Sequence, residues 1–207
     1  MNTVEGYEMS SWERGYSDFA LIPDLNTLRL IPWQPGAVLV LADVAWLDHT
    51  DVVASPRQVL RKQIAELQKW WIKRMIETPR PLEEKMTLFF HGHFATGYRT
   101  IENSWHMLRQ NGMLRSRCAG SFADLARGIV SDPAMLKYLD NDENRKASPN
   151  ENLARELLEL FMLGEGNGYT ERDIKEGARA LTGRTFKGNE YFFDKAQHDG
   201  GGKQIMH

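Results

Sequence analysis

The strongest constraint on the fold is a change in the spacing of apolar residues at Ser55. Before that residue, aliphatic side chains fill two short runs, TLRLI (27–31) and AVLVLADV (37–44), which the turn QPG separates. After it, apolar residues recur every three or four positions, which is the spacing of an amphipathic helix. The sequence therefore predicts an α+β protein in which a small β-containing segment precedes a mostly α-helical domain.

Helix start and stop signals divide the second part of the chain into short helices. Ser55-Pro56 begins the first helix, which extends to Glu77 before TPRP breaks it. Its predicted apolar stripe consists of Leu60, Ile64, Leu67, Trp71 and Met75. Further helices are predicted at 81–91, 101–116, 121–130, 133–139, 149–163 and 170–181. The strand candidate of the C-terminal part is FKGNEYFF, residues 186–193.

Composition limits the expected partners and compartment. The 207 residues include 26 lysines and arginines and 28 aspartates and glutamates, so the net charge of −2 gives no reason to expect nucleic acid as a partner. Cys118 is the one cysteine, which excludes an internal disulfide framework. AVLVLA is too short to cross a bilayer, and MNTVEGYEMS lacks the features of a signal peptide. We expect a cytoplasmic protein without membrane insertion.

The segment SPNENLARELLELFMLGEG, residues 148–166, changes from polar to apolar. Ser148 is predicted to cap a helix, with Pro149 at its first position and Glu151 completing a capping box. Glu151, Arg155 and Glu159 are four residues apart, so they are predicted to form a ladder of ion pairs on the exposed face. The residues predicted to enter the core are Leu153, Leu157, Leu160 and Phe161.

The loop DNDENRKASPNE, residues 140–151, allows a second interpretation. It carries Asp, Asp, Asn, Ser and Glu at the first, third, fifth, ninth and twelfth positions, which is the ligand order of a calcium-binding EF-hand loop. The sixth position, normally glycine, is Arg145, so a polar connection that needs no ion is the alternative. The candidate ligands for calcium or another divalent metal are Asp140, Asp142, Asn144 and Glu151.

His91-Gly92-His93 is a further candidate for metal binding. In a continuous helix the two imidazoles point about 200° apart, so one ion can bind both only if Gly92 ends the helix. Otherwise His93 is predicted to be a hydrogen-bonded core histidine. The apolar stripe that it would join consists of Leu82, Met86, Phe89 and Phe90.

A catalytic hypothesis combines residues that lie far apart in the sequence. Asn150 and Asn152, which no cap requires, precede an Arg-Glu pair, and His198-Asp199 and Lys203 near the C-terminus can approach them in the fold. Such a mixture suits general acid-base chemistry or metal-assisted hydrolysis, whereas a structural network is the alternative. The candidate catalytic residues are His93, Arg155, Glu156, His198 and Asp199.

The first part of the chain resembles glutamine synthetase. The resemblance rests on GYSDFALIPDLNTLRLIPWQPGAVLVLADV and SPRQVLRKQIAEL, with Ser-Asp, Pro-Asp, Thr-Leu-Arg, Pro-Trp and Ser-Pro-Arg in that order. It covers residues 12–67 and implies the later part of the small N-terminal β-grasp domain of that family. The large domain that carries the metal-binding glutamates and the nucleotide site is not recognisable in this sequence, so we expect no ATP site.

The remainder resembles a different family, the bacterial domain-of-unknown-function family 1800. The resemblance rests on RPLEEKMTLFFHGHFATG, LRSRCAGSFADLARGIVSDPAMLKYLDN, PNENLARELLELFMLGEGNGYTERDIKEGARALTG and HDGGGK. It implies a mostly helical fold and no particular reaction. The chain is therefore predicted to be a hybrid of two fragments, residues 1–67 and 68–207, which meet within the first helix.

Three functions are compatible with these observations. The first is a non-catalytic or interaction module without a complete active site of its own. The second is a metal-dependent, hydrolase-like enzyme on the helical segment. The third is part of an ATP-dependent ligase whose catalytic domain another chain supplies. The incomplete β segment is also expected to contact a protein partner or a second copy of the chain.

Overall fold

The computed structural model describes residues 56–206, with side chains from residue 61 onward. The chain divides into two compact units, Met1–Lys73 and Arg74–His207. The partial β-grasp segment and its two predicted strands lie outside the described residues. The described architecture therefore comprises the helix that begins at Pro56 and the second unit.

Within the described residues the chain is mostly helical, which confirms the predicted α+β class. The α-helices are α1 (Pro56–Glu77), α2 (Pro81–His93), α3 (Tyr98–Ile101), α4 (Ser104–Arg117), α5 (Phe122–Ile129), α6 (Pro133–Tyr138), α7 (Asn152–Glu156) and α8 (Glu171–Leu181). A 3₁₀ turn (Asn141–Glu143) precedes α7, and a π-helical stretch (Leu157–Met162) continues it. Strands β1 (Arg184–Lys187) and β2 (Glu190–Phe193) form an antiparallel hairpin.

Side-chain caps explain why several helices begin where the sequence predicts. The Asp132 carboxylate accepts a hydrogen bond from Met135 N, and Pro133 occupies the first position of α6. Thr170 and Asp173 form a complete capping box at the start of α8. The sequence predicts a single strand for FKGNEYFF, but Gly188, at a φ of 59°, allows the chain to reverse and form two.

The hydrophobic core of the second unit draws buried side chains from helices α4 to α8 and from Phe94, the residue that follows α2. Its fully buried members are Phe94, Leu114, Leu125, Ile129, Met135, Leu136, Leu153, Ile174 and Ala178. Burying an aliphatic or aromatic side chain of this size stabilises a fold by roughly 1.5–3 kcal/mol. Helices α7 and α8 approach closely because Gly177 has no side chain; a Cβ there would lie 3.2 Å from the Ala154 Cβ.

Helix α2 buries a charged residue, while only part of its predicted apolar stripe reaches the core: Phe90 packs against it and Met86 is half-buried. Glu84 is 1% exposed, whereas Leu82 and Phe89 are 70% and 61% exposed. The Glu84 carboxylate accepts hydrogen bonds from Arg115 Nε at 2.6 Å and Nη2 at 2.9 Å, and it also pairs with Arg74. Burial alone would raise the pKa of Glu84, but the two arginines lower it to about 2. Removing one of these arginines would leave the buried carboxylate incompletely paired, which is strongly destabilising.

The π-helical stretch changes which side chains of its segment reach the core. Leu163 N bonds to Leu158 O, five residues earlier, so this turn holds more residues than an α-helical turn. Phe161 is buried at 6% exposure, whereas Leu160 is 62% exposed. The prediction that Leu160 enters the core is therefore wrong, because it assumed an uninterrupted α-helical period.

Candidate functional site

The C-terminal end of α8 places two of the predicted catalytic residues beside each other. Helix α8 ends before Gly183, whose φ of 76° favours glycine. A Cβ on Gly183 would lie 2.5 Å from Asp194 O and 3.0 Å from His198 N, so the segment after β2 packs directly against this turn. The turn thereby fixes the backbone that carries His198 and Asp199.

His198 is held by Thr182, the residue that follows α8. Its Nδ1 atom lies 2.8 Å from the Thr182 carbonyl oxygen, which can only accept, so Nδ1 carries the proton of the neutral ring. The Thr182 hydroxyl donates to Arg179 O and accepts from Asp199 N. Nε2 of the half-buried His198 then presents a lone pair, as the imidazole of a general base or a metal ligand does.

Asp199 is engaged by a neighbouring arginine. Arg179 Nε donates to Asp199 Oδ2 at 2.8 Å, and Gly201 N donates to Asp199 Oδ1 at 2.8 Å. These bonds, that from Arg179 first, lower the pKa of Asp199 to about 2, so the carboxylate is ionised at neutral pH. Arg179 also donates two bonds to Glu176, at 2.6 and 2.8 Å. Lys203 Nζ donates to the Asp199 carbonyl.

The chain after Asp199 runs back along α8 and bonds to its carboxylates. Gln204 N donates to Glu176 Oε2 at 3.3 Å, and Met206 N donates to Asp173 Oδ1 at 2.7 Å. Together with the Arg179 pair, these bonds hold residues 199–206 against the helix. Most polar groups at this site therefore bind the C-terminal segment of the chain itself.

Arg155 forms a separate network at the other end of α8. It donates to Glu151 and Glu159, four residues away on either side, and makes two bonds with Glu171 at the start of α8. The predicted ladder is present, but Glu171 extends it to a second helix and the Arg155 side chain is 34% exposed. The bonds from Arg155 also lower the pKa of Glu171.

The structure does not bring all the predicted catalytic residues together. Glu171, the partner of Arg155, and Arg179, the partner of Asp199, are eight residues apart on α8, which is about 12 Å of helix axis. Glu156 is half-buried and makes no hydrogen bond or ion pair with the residues that the structure describes. The proposed pocket therefore divides into the pair His198–Asp199 and the network around Arg155.

His93 belongs to an aromatic cluster. Its Nε2 atom lies 2.9 Å from Phe161 O, and its ring lies 4.6 Å from Phe94 and 5.8 Å from Phe122. Helix α2 runs through Gly92 to His93, so the condition that would let His91 share a metal ion with His93 is not met. The surroundings of His93 are those of a hydrogen-bonded packing residue, which was the alternative prediction.

The candidate calcium loop is held together by asparagine side chains. Asn144 donates to Ala178 O and to Asn141 Oδ1, and its own Oδ1 accepts from Asn150 N. Asn141 donates to Leu181 O and to Arg184 O. The loop thus satisfies carbonyl groups at the C-terminal end of α8, which have no partner inside the helix.

The four candidate metal ligands contact different groups. Asp142 Oδ2 accepts from Lys137, Glu151 pairs with Arg155, and Asn144 bonds within the asparagine network. The left-handed residue of the loop is Asp140, at a φ of 54°, and not Arg145. Between residues 61 and 206, no group of three or more histidine, cysteine, aspartate and glutamate side chains has the geometry of a metal site. Calcium binding by this loop stays a prediction.

The predicted capping box of the segment after the loop is wrong. Helix α7 begins at Asn152, and Ser148 lies in a tight turn where its N–H donates to Arg145 O. The N-cap residue is Glu151, whose side chain makes no cap bond. The Asn150 side chain instead accepts from Asn152 N, the first residue of α7, in an Asx turn. Asn150 can do so because Asn144 fixes its backbone N–H.

Sequence reasoning missed Arg179, Thr182 and Glu176. Glu176 and Arg179 are three residues apart in the predicted helix 170–181, a spacing that predicts an ion pair. The contact between Arg179 and Asp199 carries no such signal, because twenty residues and a hairpin separate the two side chains.

The sequence profile of one protein family matches most of the chain. The family is DUF1800, described as a protein of unknown function, and the match covers residues 9–207. It begins 59 residues before position 68, so the boundary near Leu67 stays a prediction.

Curated relatives match a shorter stretch of the chain, and two of them are named as a synthetase and a ligase. The chain is 55% identical over 67 residues to gamma-glutamylethanolamide synthetase of Streptomyces coelicolor, and 46% identical over 66 residues to glutamate–isopropylamine ligase of a Pseudomonas species. Each match covers 32% of this chain and 14% of the relative. Human lengsin is 33% identical over 52 residues, which is 25% of this chain and 10% of lengsin.

No solved structure matches the chain. No helix among residues 56–206 combines the length and the apolar character that a membrane crossing requires. The presence of both kinds of relative in one chain agrees with the predicted hybrid.

Proposed function

Because the chain belongs to the DUF1800 family of proteins of unknown function, we propose that its helical unit is a non-catalytic module without a complete active site of its own. In this proposal Arg179, His198 and Asp199 hold the C-terminal segment against α8, and the helical surface serves to contact other molecules. The combination of a buried ionic cluster at Glu84 and separate surface networks supports a structural role for the charged residues.

The observation that carries this proposal is the bonding of Asp199. Both of its carboxylate oxygens accept hydrogen bonds from Arg179 or Gly201, and Arg179 is in turn shared with Glu176. A carboxylate that acts as a general base needs an oxygen that can reach the proton of a substrate. Asp199 uses its oxygens to order residues of its own chain.

Replacing Asp199 separates a structural role from a catalytic or ligand-binding one. Asp199→Asn should lower the unfolding midpoint, because Arg179 loses its charged partner and the following residues lose their anchor. If Asp199 served catalysis or ligand binding at the expense of stability, replacing its charge would instead raise the stability of the protein. The matched control is Asp124→Asn, which removes an exposed carboxylate from its pair with Arg127 and should shift the midpoint less. A rise in midpoint for Asp199→Asn would contradict the proposal.

A specific observation supports a second candidate, a metal-dependent hydrolase-like function. Thr182 O holds the proton of His198 on Nδ1, which leaves Nε2 as the atom for a metal or for proton abstraction. Mass spectrometry of the purified protein for bound metal tests this candidate. Stoichiometric metal that is lost in His198→Gln and kept in His93→Gln would favour it over the non-catalytic module.

Ligase activity is a third proposal and depends on residues that the matched stretch does not include. The chain spans 14% of the length of the two curated ligases. We infer that the segment before residue 67 neither binds ATP nor forms glutamine by itself, and that it contacts a protein partner. Glutamate-dependent ATP hydrolysis by the pure protein, abolished by substitution of Asp18 or Asp24, would overturn this inference.

A further inference from the structure

The turn of the β-hairpin lies against the first turn of α4. Asn103, which caps α4, donates from its side chain to Asn189 Oδ1 at 3.1 Å. His106 Nε2 lies 3.2 Å from Gly188 O, and Arg109 donates to Asn189 O at 3.2 Å. His106 and Asn189 are only 2% and 5% exposed. Three side chains of one helix end therefore clamp a single turn.

The bonding of His106 determines where its proton lies. Gly188 O can only accept, so Nε2 carries the proton and Nδ1 is the unprotonated nitrogen of the neutral ring. Nδ1 is buried and has no hydrogen-bond partner in the described part of the chain. The ring packs edge-on against Phe186 of β1, with the centroids 5.0 Å apart. If the ring took up a second proton, that proton would be on Nδ1 and would have no hydrogen-bond acceptor.

We propose that His106 makes the docking of the hairpin turn pH-dependent, so that the turn is held against α4 most firmly at neutral pH and opens more often in mild acid. When the turn moves away from α4, the His106 ring loses its hydrogen bond to Gly188 O and its packing against Phe186. Water can then hydrogen-bond to both ring nitrogens. The released state can then take up a proton that the docked state excludes.

The direction of the effect follows from the charges around His106. Burial lowers the pKa of His106, and Arg109 lowers it further, while the bond to Gly188 and the nearby Glu190 act the other way. Because the docked pKa lies below the ordinary value of about 6.5, docking is fully present above that value and weakens as the pH falls through it. Between about pH 7.5 and about pH 5.5, the opening equilibrium should increase up to about tenfold.

Glu190, next to the turn, pairs with Arg109, which also bonds to Asn189 O. Two other titratable groups near the hairpin do not contact the turn. His198 lies at the opposite end, with its ring 5.0 Å from Phe193. Asp132, whose pKa burial raises to about 7, bonds to Gln110 and Met135 and not to the hairpin. Because Arg109 links the turn to Glu190 and also acts on Asp132, only the comparison with a His106 variant assigns a change in amide protection to His106.

Hydrogen exchange of the amides in residues 186–190 tests the proposal. After correction for intrinsic exchange, protection of these amides in the wild-type protein should fall up to about tenfold between about pH 7.5 and about pH 5.5. His106→Gln, whose amide can donate to Gly188 O without titrating, should abolish the fall. His91→Gln removes another histidine whose pKa burial lowers, and it should leave the fall unchanged. An equal fall in His106→Gln, or none in the wild type, would overturn the proposal.

A nuclear magnetic resonance titration of the wild-type protein provides a test that needs no variant. The ¹⁵N shifts of the His106 ring should identify the Nε2–H tautomer, and the ring should titrate below the ordinary histidine range. A ring that carries its proton on Nδ1, or that titrates at or above that range, would show that His106 does not control the turn.

Discussion

Asparagine side chains at residues 141, 144 and 150 connect the loop before α7 to the end of α8. Asn144 is 1% exposed and uses both its amide nitrogen and its oxygen, as does Asn150. A buried amide left without these bonds would cost roughly 1–3 kcal/mol. At the scale of single residues, this network explains the polar composition of the loop without an ion.

The first prediction concerns the cap of α7. Asn150→Ala should lower the free energy of unfolding by about 1 kcal/mol, because Asn152 N loses its side-chain acceptor. Ser148→Ala should change it by less than about 0.5 kcal/mol, since Ser148 is exposed and caps no helix. Urea denaturation of the two variants measures both values. A larger loss of unfolding free energy for Ser148→Ala than for Asn150→Ala would show that Ser148 stabilises the start of the helix.

The second prediction concerns Asp132, which is buried at the start of α6. Burial raises its pKa from the ordinary range to about 7, although Met135 N and Gln110 donate to it. Its protonated form therefore stabilises the fold below about pH 4, and that stability is lost as the pH rises through about 7. Asp132→Asn should remove up to about 1.4 kcal/mol per pH unit from the slope of stability in this range.

Unfolding free energies of the wild type and Asp132→Asn at several pH values between about 4 and about 7 measure this slope. The difference between the two proteins isolates Asp132 from the histidines that titrate in the same range. Asp124→Asn, which removes an exposed carboxylate, is the control and should leave the slope nearly unchanged. Parallel curves for the wild type and Asp132→Asn would show that Asp132 keeps an ordinary pKa.

At the scale of elements, charge and helix period decide which faces reach the core. Helix α2 buries Glu84 between Arg74 and Arg115 and leaves Leu82 and Phe89 exposed. The π-helical stretch after α7 buries Phe161 and exposes its neighbour Leu160. In both cases the apolar pattern includes side chains that pack in or against the core, such as Phe90 and Phe161, and others that stay exposed.

The third prediction tests the π-helical register. Phe161→Ala should destabilise the protein by about 3–5 kcal/mol, the usual cost of removing a buried aromatic side chain. Leu160→Ala should cost less than about 1 kcal/mol, because 62% of that residue is already exposed. Thermal or urea denaturation of the two variants measures both losses. Equal losses would show that Leu160 is buried as deeply as Phe161 and would contradict this register.

At the scale of the whole molecule, the chain has relatives of two kinds. The DUF1800 profile covers residues 9–207, whereas the synthetase and the ligase match about a third of the chain, at 55% and 46% identity. The helical unit has its own core, two ends of α8 that carry separate ionic networks, and a hairpin clamped to α4. The proposals for catalysis and metal binding concern this unit, whereas a protein partner is also proposed for the segment before residue 67.

The fourth prediction concerns calcium and the stability of the whole helical unit. A bound ion at one hundred times its dissociation constant would stabilise the folded state by about 2.7 kcal/mol. We expect no rise in the unfolding midpoint when calcium is added, because the side-chain oxygen of Asn144 already accepts from Asn150 N and Glu151 pairs with Arg155. A rise that Glu151→Gln abolishes would establish the loop as a calcium site.

Local signals in the sequence determined most helix boundaries. Pro56, Asp132, Pro133 and the Thr170–Asp173 capping box act within one turn of chain, so a short window of sequence contains the whole interaction. The mostly helical class and the two family resemblances followed in the same way. His198 and Asp199 were also named correctly as neighbours, because they are adjacent in the chain.

Only the tertiary structure decided which distant groups meet. Arg179 reaches Asp199 across a hairpin, Arg155 reaches Glu171 on a second helix, and Asn144 bonds to the end of α8. Such contacts depend on how the helices pack against each other. The sequence spacing between residues that are far apart in the chain does not predict them. The same reason explains why Glu84 is buried and Leu160 is exposed: the partner groups and the π-helical turn, rather than local hydrophobicity, set the face that each helix turns inward.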